Sequence, residues 1–191
     1  MAKALLIGNG PSALEHKIGE RIDSNEFDIV CRINRGHKQD DGTLNTGFEK
    51  YVGTRCDYWI ISDLRSNLAI NRKDEYKKIF IYTPKFKINK NIVGHCISLN
   101  QHYNNIECIS SEYEDNINKI IDFKPQWPST GIISIHFITS LFKEVYLYGF
   151  DTYNTKYDNS HYFEDRPNKY KNKNNQDHAP SLEKDYIEYM I

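Results

Sequence analysis

One apolar stretch limits the fold more than any other part of the sequence: it follows Trp127-Pro-Ser-Thr-Gly131 and runs up to Val145-Tyr-Leu-Tyr-Gly-Phe-Asp151. Ile132, Ile135, Ile138 and Phe142 recur at helical spacing with Ile133, Phe137 and Leu141 beside them, while Val145 to Tyr148 reads as a short strand. The order is loop, core helix, strand. Pro128 is a helix-start residue and Ser129 or Thr130 can cap. The backbone N–H groups of Ser129, Thr130 and Gly131 are then expected at the positive end of the helix, where a phosphate would bind. Alone, the segment needs no function, since a core helix can start this way.

The beginning of the chain points to the same class. Ala4-Leu-Leu-Ile7 is a buried-strand run, and Gly8-Asn-Gly-Pro-Ser12 turns it into a helix expected to end near Gly19. A strand, a Gly-rich turn and a helix open the parallel sheets that bind nucleotides. Gly8-x-Gly10-x-x-Ala13 satisfies the dinucleotide fingerprint, but the next strand, Phe27 to Ile33, ends in Asn34-Arg35 without the acidic residue that holds a ribose diol. An arginine at 35 would suit a 2′-phosphate, so an NADP-dependent oxidoreductase stays open. Cys56 to Ile61 and Lys78 to Tyr82 read as further strands, with a helix over 64–76 between them and a short strand expected near Ile97. Glu112 to Phe123 reads as a helix with Ile117, Ile120 and Ile121 facing in. Pro180 and Ser181 open a last helix to Tyr189.

With 191 residues the chain fits one domain with a proper core. A net charge of −1 and a pI near 6.7 give no basic surplus for general nucleic-acid binding. No apolar run approaches the ~20 residues of a membrane span, and Met1 leads almost directly into the first strand. Cytoplasmic residence is expected, with peripheral contact to the inner face of the membrane left open. Cys31, Cys56, Cys96 and Cys108 lack paired metal-ligand spacing and read as thiols of a reducing compartment.

Pro128-Ser-Thr-Gly131, the apolar helix and Glu144-Val-Tyr-Leu-Tyr-Gly-Phe150 together resemble the small sialyl motif of the animal-type sialyltransferases. Gly8-Asn9-Gly10, Ile22-Asp23, Phe27-Asp-Ile-Val, Arg32-Ile-Asn34, Gly47-Phe-Glu49 and Val52-Gly-Thr54 resemble the large motif in family order. His161-Tyr-Phe-Glu resembles the third motif, and His178-Ala-Pro-Ser-Leu-Glu183 the very small one. Asp151, Tyr153 and Tyr157 are more similar to the Campylobacter-type bacterial enzymes, in which two tyrosines grip the leaving phosphate. The positions of the animal enzymes' disulfide hold Ala4 and Phe142 here, which fits a bacterial, cytoplasmic member.

The resemblance implies a sialyltransferase-type glycosyltransferase fold: one Rossmann-like, doubly wound α/β domain over 1–191 with a mostly parallel sheet and a lid at 154–177. It implies a metal-independent, inverting transferase that moves sialic acid from CMP-sialic acid to a glycan acceptor, an oligosaccharide or lipooligosaccharide. Another CMP-sugar such as CMP-Kdo is the alternative donor, and no cofactor or metal is expected. The implied catalytic residues are His178 as base with His161, Tyr153 and Tyr157 at the phosphate. Asn9, Gly10, Ser12, Asn34, Arg35, Ser129, Thr130, Gly131 and Asp151 are implied to bind nucleotide and donor.

Overall fold

The computed structural model describes residues 2–36, 46–62, 71, 73–88, 98–99, 101–152, 159–163 and 178–191. Six strands form one sheet: β1 Lys3–Ile7, β2 Ile29–Ile33, β3 Tyr58–Ser62, β4 Lys78–Tyr82, β5 Ile106–Ile109 and β6 Glu144–Tyr148. Their order is β5-β4-β3-β2-β1-β6, and every pairing is parallel. From β1 the chain steps outward to β5, then returns to the other side of β1. The order therefore reverses between β1 and β6, and such a switch opens a crevice at the carboxyl ends of those two strands.

Side chains alternate between two covered faces, as a parallel sheet requires. Ala4, Leu6, Cys31, Ile33, Ile60, Phe80 and Tyr82 pack on one face with three helices, α3 Glu112–Ile120, α4 Thr130–Leu141 and α5 Pro180–Met190. On the other face Leu5, Ile7 and Val30 pack with Ile22 of α1 Gly19–Asp23, while Trp59, Ile61, Ile79 and Ile81 pack with Tyr76 and Leu99. A short α2, Glu49–Val52, adjoins α1. Ile132, Ile133, Ser134, Ile135, Phe137 and Ile138 are all buried, which is why α4 is apolar around most of its circumference. Ala4 and Phe142 both belong to the core on the α4 face, so apolar packing stands at those two positions.

Two features differ from expectation. The helix expected from Pro11 to Gly19 is a single 3₁₀ turn, Pro11–Leu14, followed separately by α1. Tyr148 places its hydroxyl 2.6 Å from the carbonyl of Ala13 and 2.9 Å from that of His16, oxygens that a longer helix would use internally. Gly19 instead packs so tightly on α2 that an added Cβ would lie 1.8 Å from the Glu49 carbonyl oxygen. The short strand β5 was not anticipated: four residues of buried ends and more exposed middle give a weak alternation. The strand expected near Ile97 lies outside the described residues, as do 64–70 and 72 of the helix expected over 64–76; of that range Lys73–Glu75 form a 3₁₀ turn. No helix among the described residues is long and apolar enough to cross a membrane.

Candidate active site

The crevice at the switch point is a cleft of about 260 Å³. Its walls come from the turns after β1 and β6, the end of β2, the start of α4, the segment 159–163 and the start of α5. The two turns touch closely. Gly8 N–H donates to the Tyr148 carbonyl at 2.7 Å, and Gly10 N–H to that of Gly149 at 2.8 Å. A Cβ on Gly10 would sit 2.2 Å from the Asp151 carboxylate, so this glycine is required by the approach of the two loops. Asp151 also accepts the Ser12 N–H at 2.9 Å. A protein carboxylate thus holds the start of the first turn, where a dinucleotide's pyrophosphate would otherwise lie.

The asparagines serve the cleft differently. Asn9 donates Nδ2 to the Ile33 carbonyl at 3.3 Å, while its Oδ1 is buried without a hydrogen-bond partner among the described residues. Asn34 accepts the Ser62 N–H on Oδ1 at 3.0 Å, which fixes the orientation of its amide at the rim of the cleft. Asn34 and Thr152 are the two non-glycine residues with positive φ among those described, at 46° and 48°, and both line the cleft. A β-branched residue in that conformation is strained, and such strain gathers at functional sites.

At the start of α4, Ser129 is the cap and its Oγ accepts the Ile132 N–H at 3.3 Å. Its own N–H and Oγ–H go to the two carboxylate oxygens of Glu183, at 3.0 and 3.1 Å. Of the expected amide donors, Ser129 is therefore committed inside the protein. Thr130 and Gly131, which line the cleft, have N–H groups without a partner among the described residues. Glu183 is 3% exposed, and burial pushes its carboxyl up to about 7. In the sequence Glu183 stands out only by its spacing from His178, which carries no sign that its carboxylate holds the cap of α4.

Two histidines reach the cleft from separate segments. The main chain beside His161 is fixed by Tyr162 N–H donating to the Asn9 carbonyl at 3.0 Å, and the His161 ring lies parallel to Phe163 at 5.4 Å. His178 directs Nδ1 to the Trp127 carbonyl at 3.3 Å. A carbonyl oxygen only accepts, so in the neutral ring Nδ1 carries the proton and Nε2 the lone pair. Helix α5, which begins just after His178, is tied to α4 by Tyr186, whose hydroxyl lies 2.5 Å from His136 Nδ1. Burial lowers the His136 pKa and raises that of Tyr186, which favours the neutral form of both.

The structure brings Asn9, Gly10, Asn34, Ser129, Thr130, Gly131, Asp151, His161 and His178 around one cleft. Ser12 and Arg35 do not line it, and Ser12 is held by Asp151. Tyr153 and Tyr157 lie outside the described residues, as does the expected lid except for 159–163. Among the described residues no group of three His, Cys, Asp or Glu side chains is arranged to hold a metal ion.

A family model described as glycosyltransferase family 29 (sialyltransferase) matches residues 71–191. The chain belongs to glycosyltransferase family 29. The matched range carries α4, β6, both histidines and Glu183 of this family 29 chain. Asn9, Gly10 and Asn34 precede it, and what joins them to the site is the geometry of the switch point. No curated protein matches the sequence.

Proposed function

We infer that the cleft binds CMP-sialic acid and transfers the sialic acid, with inversion, to a hydroxyl of a glycan acceptor. The observation that carries this reading is the convergence of two histidines from different segments on the cleft that also receives the Thr130 and Gly131 amides. CMP leaves through a phosphate oxygen. As the bond from that oxygen to the anomeric carbon breaks, its electron pair stays on the phosphate, and the Thr130 and Gly131 N–H groups with His161 meet the growing charge. Tyr153 and Tyr157 add hydroxyl donors in this reading. The acceptor hydroxyl attacks the opposite face of the anomeric carbon, which inverts it, and its proton passes to His178 Nε2. The buried Asn9 Oδ1 suits a donor on the cytidine, since leaving such an acceptor unmet costs about 1 to 3 kcal/mol.

The donor phosphodiester carries one negative charge, which amides, hydroxyls and a histidine can meet without a divalent cation. CMP-Kdo offers the same nucleotide and remains the second donor to test. The NADP reading is opposed by Asp151, whose carboxylate occupies the first turn that the fingerprint would lend to a pyrophosphate. Calorimetric titration should show CMP binding and NADP not. Incubation with CMP-sialic acid and with CMP-Kdo in excess EDTA should release CMP from the first. Preference for NADP, or activity lost to EDTA and restored by magnesium, would overturn the reading.

A further inference from the structure

Arg32 stands in β2, in the middle of the sheet, and is 1% exposed. A guanidinium is almost never so deep unless its donors are met. Here Nε donates to the Arg55 carbonyl at 2.8 Å and Nη2 to the Val52 carbonyl, and the same guanidinium is hydrogen-bonded to the hydroxyl of Tyr162. All three partners are neutral oxygens, which offset the burial of a charge less well than a carboxylate does, and an apolar side chain of similar volume would pack the sheet at lower cost. What the arginine adds is a rigid fork. It joins β2 to the chain after α2 and to the segment 159–163, pieces that lie far apart in sequence.

Tyr162 is held at each end. Its N–H donates to the Asn9 carbonyl at 3.0 Å, its ring packs with Ala13 and Val52 and meets Phe48 edge-on at 5.2 Å, and its hydroxyl is buried against Arg32. Burial pushes that hydroxyl up to about 12 against the pull of the guanidinium, so it stays neutral. The residues on either side, His161 and Phe163, stack their rings parallel at 5.4 Å. His161 therefore borders an anchored residue, and the transfer chemistry gives neither the anchor nor Arg32 a part.

Resting on the sialyltransferase reading of the cleft, we propose that Arg32 and Tyr162 are positioning residues: the guanidinium seats the tyrosine, and the tyrosine sets where the neighbouring His161 ring meets the donor phosphate. A buried hydrogen bond to a charged donor is directional and has no water to replace it. Without it the Tyr162 ring keeps its apolar neighbours but loses the contact that fixes its depth, and His161 moves with it. A lysine at 32 supplies one ammonium in place of the planar fork and cannot serve the same three oxygens together.

Tyr162→Phe keeps the ring and removes the hydroxyl, so it tests the seat with the packing intact. In the ligand-free protein the NMR signal of the His161 imidazole, assigned by its absence from His161→Ala, senses the Phe163 ring beside it. That signal should shift in Tyr162→Phe and in Arg32→Lys while the His178 signal stays in place. Calorimetry should show CMP affinity lowered about 5-fold by Tyr162→Phe, and no further loss when the same change is made in His161→Ala, because the tyrosine acts through the histidine. An unmoved His161 signal in Tyr162→Phe would overturn the positioning, and so would a comparable loss of CMP affinity on the His161→Ala background. Should Arg32→Lys fail to fold, Tyr162→Phe decides alone. Wild-type protein that binds no CMP would overturn the sialyltransferase reading, and the His161 signal then decides the positioning by itself.

Discussion

At the scale of single residues, the two histidines differ in what holds them, and the difference predicts separable phenotypes. His178 presents the lone pair of Nε2 because Nδ1 donates to the Trp127 carbonyl, whereas His161 is held by the segment docked on Asn9. His178→Ala should bind CMP nearly normally and lose ~10² to 10⁴ in transfer rate, with the low-pH limb of the kcat profile gone from the residual activity. His161→Ala should weaken CMP binding and keep that limb. The opposite pattern in pH profiles would exchange the two roles. Glu183 gives a stability prediction. Burial raises its carboxyl to about 7 from the ordinary 4.5, so the folded protein retains a proton that the unfolded chain has lost between those values. Stability should therefore fall as pH rises through that window, by up to about 3 kcal/mol, and the penalty is fully present above it. Urea midpoints at pH 5 and pH 8 should differ less in Glu183→Gln than in the wild type, and an equal pH dependence in both would assign the proton elsewhere.

Helix α4 shows how far an element could be read before it was seen. Its apolar spacing announced a core helix, and Pro-Ser-Thr-Gly announced its start, because caps and periodicity are local properties of the chain. What no local rule carried was the fate of the amides. Ser129 is taken by Glu183, a residue that topology alone brings from another helix. The same limit explains the first turn, where Tyr148 of β6 supplies a hydroxyl to the carbonyls of Ala13 and His16. β5 was missed because a four-residue edge strand has too few alternations to stand out. Gly131 is where the element meets the ligand. An added Cβ would lie 3.3 Å from the Ser129 Oγ, an oxygen held by Ile132 N–H and Glu183, so in Gly131→Ala crowding of the cap offsets the helix propensity of alanine and the ligand-free stability should stay within about 1 kcal/mol of wild type. The substitution should nevertheless weaken CMP binding, because a methyl group would stand among the amides that approach the phosphate. Thermal unfolding with and without CMP would show it, and equal protection by CMP in both proteins would refute close approach at this position.

On the scale of the whole molecule, the reversal of strand order between β1 and β6 gathers residues that lie far apart in sequence, from Asn9 to Glu183, at one edge of the sheet. The sequence carried the fold class through its strands and its Gly-rich turn, yet the neighbours across the switch had to be seen. Among those neighbours are two carboxylates, Asp151 on the first turn and Glu183 on the cap of α4. Each stands where a helical start would otherwise attract a further anion. The amides left open to the cleft are then those of Thr130 and Gly131, a donor set sized for one phosphate group. The nucleotide ranking of the cleft should run from CMP through CDP to CTP in falling affinity, the reverse of a site that grips a pyrophosphate, and competition by the three against CMP-sialic acid would measure it. In the cell that ranking would leave the enzyme insensitive to the CTP pool and answerable to its own product, so that any process removing CMP would set the pace of transfer.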